Sequence, residues 1–209
     1  MGRKLRPLNL PDIAGLPAVC RCCSFWESAR QLERTCGAAC DEDALRAWYI
    51  RVTEEWGECG KVVTEDDAVL GFVKYAPAGY FPQAFTFASG PDDPRVPLIA
   101  CIHVEPESLR HGVGKVLLQA ALRDLALRGE RTVQAFGYTG PEISADEGPI
   151  IEMEFLAKQG FSVVKPDPLY PLMQLELRSL AMITENLETV LETLRLPLRS
   201  PRQAPVPGA

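Results

Sequence analysis

The sequence predicts an α/β protein, more closely an α+β arrangement in which helices flank a mixed sheet. Three observations lead to this class. Residues 97–104, PLIACIHV, form a nearly continuous apolar run with the length of one strand that is buried on both faces. An amphipathic helix is predicted soon after it, over residues 113–128. Shorter strand and helix patterns alternate along the rest of the chain, which is typical of a mixed sheet.

The chain begins with a short predicted strand at residues 4–9 and a helical turn at residues 10–16, where Pro11 suits a first-turn position. A longer helix is predicted from Asp41, a suitable N-cap, to about Trp56. Its apolar residues recur on one face and are Leu45, Trp48, Tyr49, Val52 and Trp56.

A β-hairpin is predicted next, because residues 61–64 and 68–75 flank the turn Glu65-Asp66-Asp67. Residues 76–96 are rich in proline, glycine and aromatic residues and are expected to form a long connection to the strand at 97–104.

The helix at 113–128 has an apolar and a polar face, and Gly129 suits the position just after its end. The apolar face contains Gly114, Leu118, Ala121, Leu122 and Leu125. The polar face contains Lys115, Gln119 and Arg123. The later predicted elements are a strand at 132–136, a helix from Pro149 to Gly160, strands at 161–164 and 172–177, and an amphipathic helix at 183–194. A single domain over residues 1–195 is expected, followed by a disordered proline-rich tail at 196–209.

Composition excludes several classes of function. The formal net charge of −6 argues against a nucleic-acid partner, which usually requires a basic face. No apolar run has the roughly 20 residues of a membrane span, and no apolar segment follows the basic N-terminus as in a secretory signal. The odd count of seven cysteines fits reduced thiols and a cytoplasmic location better than a complete disulfide framework. The amphipathic strands and the last helix could support a homodimer.

The segment between strand 97–104 and helix 113–128 has the character of an anion site. Gly112 and Gly114 allow the backbone to turn tightly and to approach a ligand closely. The first N–H groups of a helix have no internal partners and carry the positive end of its dipole, and Arg110 and Lys115 add full charge. A pyrophosphate is therefore the expected ligand.

Two common phosphate loops do not fit this segment. A P-loop requires Ser or Thr after its lysine, but Val116 follows Lys115, and Leu109 stands where its first glycine belongs. A dinucleotide fingerprint requires a third glycine or alanine, and Leu117 occupies that position.

The segment instead resembles the GNAT superfamily of N-acetyltransferases. Val104-Glu105-Pro106 is similar to the family's V-x-P at the end of its central strand. Residues 109–114, LRHGVG, are similar to the family's [QR]-x-x-G-x-[GA], except that Leu109 replaces Gln or Arg. FLAKQGF at 155–161 resembles the family's late helix-to-strand element. Within the superfamily, CRCCSFWE and YPLMQLELR resemble an actinobacterial group.

This resemblance implies the GNAT fold, acetyl-CoA or another acyl-CoA as co-substrate, and direct attack by the amine of a small molecule or peptide. The CoA site it implies comprises Ile102, His103, Val104, Leu109, Arg110, His111, Gly112, Val113, Gly114 and Lys115. In the family a backbone N–H near the end of the central strand stabilises the oxyanion, which here means the region of residues 102–104.

The acid and base are not identified by the motif. Many family members have a tyrosine in the late helix, where this chain has Leu156, and an early asparagine there is matched by Pro149. His103, Tyr138 and Glu27 are the candidate catalytic residues. Phe25 and Trp26, beside Glu27, are expected to pack in the core. The missing tyrosine also leaves open an acyl-CoA sensor or partner-binding protein without catalysis.

Residues 17–40 form a cysteine-rich insert. Cys20-x-x-Cys23 and Cys36-x-x-x-Cys40 could together bind zinc, although the spacing also fits ordinary buried thiols or a redox pair. A zinc-dependent interaction module is therefore a third hypothesis.

Overall fold

The computed structural model describes residues 2–28, 42–66, 68–140 and 149–177, apart from the side chain of Arg110. Its strands are β1 Lys4–Pro7, β2 Gly60–Glu65, β3 Ala68–Pro77, β4 Pro97–Val104, β5 Thr132–Tyr138, β6 Ile151–Glu152, β7 Ser162–Lys165 and β8 Leu172–Glu176. Its α-helices are α1 Leu10–Gly15, α2 Ala18–Arg21, α3 Glu42–Glu55, α4 Val113–Leu127 and α5 Met153–Lys158.

The strands form one mixed sheet in the order β1-β2-β3-β4-β5-β8-β7, and β6 pairs with the end of β5. The pairs β4–β5 and β5–β6 are parallel, and the other described pairs are antiparallel. The predicted mixed sheet with flanking helices is therefore confirmed. None of the helices in the described ranges combines the length and apolar character that crossing a bilayer would require.

Two hydrophobic clusters cover opposite faces of the sheet. The cluster on what we call the α3 face joins residues of α1 and α3 to Trp26, Phe72, Phe81 and Phe136. The cluster on the α4 face joins most of α4 to Val73, Tyr75, Ile99 and Ala135. Side chains in a strand point alternately to the two faces, so neighbouring residues of β3, such as Phe72 and Val73, belong to different clusters.

Strand β4 parts from β5 near its middle. It stays in register with β3 to its last residue, where Val104 lies opposite Gly71. With β5 it pairs only at Leu98–Gln134 and Ile99–Ala135. A β-bulge lies at the same level, because Lys74 pairs with Cys101 but the next residue of β3 pairs with Ile99. Both strands continue beyond this point without pairing to each other, and β5 pairs with β6 there instead. We call the unpaired stretch beside β4 the gap.

Helix α4 is tied to β3 by a buried polar network at its C-terminal end. The hydroxyl of Tyr75 donates to Oδ2 of Asp124 at 2.8 Å, and Nη2 of Arg128 contacts the same carboxylate oxygen at 2.8 Å. Burial, followed by the nearby charges of Asp124 and Glu58, raises the pKa of Tyr75 well above its ordinary value. The tyrosine therefore stays neutral and acts as a donor that orients the helix.

A buried ion pair holds residues 22–28 against the α3 face. Nζ of Lys74 donates to Oε1 of Glu27, and both side chains are almost fully buried, at 4% and 5% exposure. The ammonium also lies 5.2 Å from the centre of the Trp48 ring. Burial alone would lower the pKa of Lys74, but the charge of Glu27 raises it above its ordinary value. The stabilisation is therefore fully present below the pKa of an unfolded lysine and is lost as pH rises through the folded value.

Two expectations from the sequence need correction. Pro149 does not begin a helix, because Ile151 and Glu152 first pair with the end of β5 and the helix starts at Met153. Gln119 is buried at 7% exposure, and its amide faces Gln159 at 3.4 Å. The long connection expected at 76–96 is present after β3, and it contains two short 3-10 helices, Ala78–Tyr80 and Pro82–Thr86. The expected N-cap Asp41, the helix at 183–194 and the tail at 196–209 lie outside the described residues.

Breaking the buried pair should be costly. We expect Lys74→Met to lower the free energy of unfolding by about 3–5 kcal/mol, because Glu27 would stay buried without its cation. The double variant Glu27→Leu/Lys74→Met removes both charges and should recover most of this loss. Urea denaturation followed by circular dichroism measures both values. Lys158→Met, at an exposed pair with Glu154, is the control and should leave stability unchanged. A Lys74→Met protein as stable as the wild type would contradict the assignment.

Candidate active site

The start of α4 presents unpaired backbone donors. Gly112 adopts the left-handed conformation with φ 75°, and no side chain caps the helix that begins at Val113. The first helical bond runs from the N–H of Val116 to the carbonyl of Gly112 at 3.1 Å. The N–H groups of the preceding residues therefore have no partner within the helix. The first turn also contains no acidic residue, so the positive end of the dipole is not neutralised.

The residues predicted to bind CoA include both buried and exposed side chains. Val113 is fully buried and belongs to the α4-face cluster, which anchors the loop. Leu109 is 61% exposed, and His111, Gly112 and Lys115 are also on the surface. Val113 can therefore meet a ligand only through its backbone. The predicted charge of the Arg110 side chain lies outside what the structure describes.

The end of β4 leads towards this helix start. Ile102, His103 and Val104 are half-buried and still paired with β3 on one side. On the other side the register with β5 ended at Ile99. An exposed strand edge is a template for another extended chain with amide groups. The helix start lies close to this edge, because a Cβ at Gly114 would lie 3.6 Å from Val104 and 4.0 Å from Ile102.

The three candidate catalytic residues lie in different surroundings. His103 faces the α3 side of the sheet, next to Phe72, and its side chain is 26% exposed. Its Nε2 makes no hydrogen bond and lies 3.6 Å from Oε1 of Glu105. Tyr138, at the end of β5, is 6% exposed and packs near Tyr170. Glu27 has its Oε1 bound by Lys74, whereas its Oε2 is buried without a hydrogen bond.

Lys74 was not identified from the sequence as a functional residue. The sequence signal was a lysine within the otherwise apolar strand AVLGFVKYAP. A charged residue in a strand that is buried on both faces is usually paired with an opposite charge. Its partner is 47 residues away in the sequence, and no local pattern links the two positions. Phe25 and Trp26 pack in the core as expected, with their ring centres 5.0 Å apart.

The cysteine-rich segment is only partly described. Cys22 is disulfide-bonded, which corrects the expectation of reduced thiols throughout. Cys20, Cys59 and Cys101 are free thiols, and burial raises the pKa of Cys101 to about 12. Such a thiol stays protonated at neutral pH and is a poor metal ligand. Within the described ranges, no three His, Cys, Asp or Glu side chains are arranged to hold a metal ion. The zinc hypothesis also involves Cys36 and Cys40, which lie outside these ranges.

Three solved structures illustrate the proteins whose fold this chain shares. PaiA N-acetyltransferase of Thermoplasma acidophilum, in complex with coenzyme A, is 16% identical, with a TM-score of 0.57 over 84% of this chain and 99% of its own. An N-acetyltransferase of Staphylococcus aureus Mu50 is 16% identical, with a TM-score of 0.55 over 85% and 100%. YncA of Salmonella typhimurium, with its cofactor acetyl-CoA, is 18% identical, with a TM-score of 0.55 over 86% and 96%. At these identities the likeness shows the fold.

Sequence comparison is more specific. None of the curated proteins matches this chain. A family model described as the acetyltransferase (GNAT) family matches residues 25–142, which is more than half of the chain and includes β4, the glycine loop and α4. The resemblance inferred from the motif is thereby confirmed, and the chain belongs to the GNAT acetyltransferase family.

Proposed function

We propose that this protein transfers an acyl group, acetyl in the first place, from acyl-CoA to the amine of a small molecule or peptide within a ternary complex. The observation that carries the proposal is the uncapped start of α4 beside the unpaired edge of β4. The presence of CoA and acetyl-CoA in the similar PaiA and YncA structures supports the same ligand here.

The diphosphate of CoA is assigned to the start of α4. The N–H groups of Val113, Gly114 and Lys115 precede the first intrahelical bond, and such groups bind phosphate with the help of the helix dipole. The exposed ammonium of Lys115 adds a full positive charge. A Cβ at Gly114 would make only ordinary contacts, the nearest at 3.6 Å from Val104. The packing therefore does not require glycine there, which agrees with a role in ligand approach.

The pantetheine arm is assigned to the open edge of β4. It is an extended chain with two amide groups, so it can pair with a strand edge as another strand would. From the helix start it would run past Val104 and Ile102 towards the place where β4 and β5 join. The thioester would then lie near the bulge at Ala100 and Cys101.

The reaction proposed is direct aminolysis of the thioester. The amine nitrogen attacks the carbonyl carbon, and a backbone N–H in the region of residues 102–104 stabilises the oxyanion. His103 accepts the proton that the nitrogen loses, while Glu105, 3.6 Å from its Nε2, stabilises the imidazolium. The C–S bond then breaks, and the CoA thiolate takes up a proton from the His103 imidazolium. Holding both reactants in one site removes much of the entropic barrier.

Tyr138 and Glu27 are not assigned the role of general base. Tyr138 lies at the end of β5, on the far side of the gap, and is the second candidate for protonating the thiolate. Glu27 is already bound to Lys74, so we assign it to positioning residues 22–28 and not to proton transfer.

One observation favours the non-catalytic alternative, an acyl-CoA sensor or partner-binding protein. Leu156, where many family members have a tyrosine, is fully buried within the α4-face cluster. No acid can act from that position, so a catalytic protein has to use another proton donor.

Calorimetry with acetyl-CoA tests the ligand. The wild type should bind acetyl-CoA, and Lys115→Glu should bind it about ten- to a hundredfold more weakly, since a charge-assisted contact becomes a repulsion. The same change should leave thermal stability equal or slightly higher, because an acid in the first turn favours the helix. The control is Lys4→Glu, which makes the same change in charge on the exposed far edge of the sheet. The proposal is wrong if the wild type shows no binding of acetyl-CoA at millimolar concentration.

Turnover tests the chemistry. The wild type should release CoA from acetyl-CoA when a panel of primary amines and peptides is supplied, and His103→Gln should lower kcat about 10²–10⁴-fold with an unchanged Kd for acetyl-CoA. Free thiol detection and calorimetry give the two values. Tight acetyl-CoA binding without turnover on any amine would support the sensor. An unchanged kcat in His103→Gln would remove that residue from the mechanism.

A further inference from the structure

Two adjacent residues, Trp26 and Glu27, contact the strands on either side of β4, at the level where the pairing of β4 with β5 ends. Glu27 is bound to Lys74 of β3. Trp26 stacks on Phe136 of β5, with ring centres 5.8 Å apart at an angle of 26°. In the sheet, β4 lies between β3 and β5. The dipeptide therefore spans β4 on the α3 face, from one of its neighbours to the other.

The register locates this crossing on β4. Phe136 follows Ala135, which is the last residue of β5 paired with β4 and lies opposite Ile99. Lys74 lies opposite Cys101. The dipeptide thus passes over Ala100 and Cys101, the residues at the bulge. Their small side chains belong to the same α3-face cluster as the indole ring.

The indole ring fills this place tightly. Trp26 is 1% exposed, and aromatic rings surround it on several sides. The ring centres of Phe87 and Phe81 lie 6.1 Å and 6.2 Å from its own. Phe87 also packs on Phe136 at 4.5 Å, so the wall is continuous from the 76–96 connection to β5.

The opposite face of the same place is also filled. Ile99, Leu117 and Ala135 are at most 1% exposed and belong to the cluster under α4. A group that enters the gap from the start of α4 therefore meets packed side chains on the α4 face and the indole ring on the α3 face. The indole N–H is buried and donates no hydrogen bond among the described residues. A carbonyl oxygen that arrives there would gain a donor.

We propose that Trp26 closes the acyl end of the gap and restricts the donor to short acyl groups, with acetyl preferred. This inference rests on the proposed function, because it assumes that the thioester lies near Ala100 and Cys101. Trp26 is thereby a specificity-determining residue, and the Glu27–Lys74 pair positions it. Longer acyl chains are excluded because they would have to displace a ring held between β3 and β5.

Binding of acetyl-CoA, butanoyl-CoA and hexanoyl-CoA, measured by calorimetry, tests the proposal without an acceptor. The wild type should bind acetyl-CoA at least about tenfold more tightly than hexanoyl-CoA. Trp26→Leu should reduce this preference about tenfold. Phe136→Leu, which removes the other half of the stack, should shift it in the same direction and provides a second test if the first variant does not fold.

Trp56→Leu is the matched control. Trp56 packs on Tyr75 with ring centres 6.2 Å apart and lies 4.2 Å from the guanidinium of Arg128, and none of its described ring contacts is with Trp26, Lys74 or Phe136. It should reduce stability and leave the acyl preference unchanged. The proposal is overturned if Trp26→Leu and Phe136→Leu keep the wild-type preference, if Trp56→Leu shifts it equally, or if the wild type binds hexanoyl-CoA as tightly as acetyl-CoA. A wild type that binds no CoA ester at all would instead refute the proposed function on which this inference rests.

Discussion

The candidate site depends on how far two parallel strands stay hydrogen-bonded. Strand β4 pairs with β5 at two positions and with β3 along its whole length. The bulge at Ala100 adds one residue to β4 at the level where the pairing with β5 ends, and bulges bend a strand and increase its twist. One edge of a central strand is thereby opened inside the sheet. Elsewhere such an edge would invite aggregation, but here it lies in a gap that leads to the start of α4.

Opening a sheet in this way requires contacts that hold its two parts together. On the α4 face this role belongs to the helix itself, through apolar packing and through the bond from Tyr75 to Asp124. On the α3 face it belongs to residues 22–28, which bind β3 by charge and β5 by aromatic stacking. A buried ion pair contributes little net stability compared with apolar side chains, but it is strongly directional. That directionality suits a contact whose purpose is to position a loop.

The match to the GNAT family covers residues 25–142, which include the glycine loop and both diverging strands. Other features of this chain lie mostly on the α3 face. They include the lysine inside β3, the disulfide-bonded Cys22 and the aromatic wall around Trp26. The glycine loop at the start of α4 and these α3-face contacts thus lie on different faces of the sheet.

The sequence by itself determined the elements that rest on local physics. Strand β4 was predicted with its observed bounds, because eight mostly apolar residues flanked by turn formers leave few alternatives. The start of α4 at Val113 and the left-handed Gly129 followed from the same kind of local rule. The mixed α/β class and the family also followed, since the motif describes a backbone turn formed by neighbouring residues.

The tertiary structure alone decided the features that join distant positions. Glu27 meets Lys74 and Trp26 meets Phe136 only because the sheet order places β3, β4 and β5 side by side. Ile151 and Glu152 extend the sheet where Pro149 suggested a helix, because the end of β5 offers them backbone partners. Gln119 is buried by its contact with Gln159, although its position in the helix indicated a polar face. The periodicity of a sequence shows which residues share one face of a helix or strand. It does not show which other element will pack against that face.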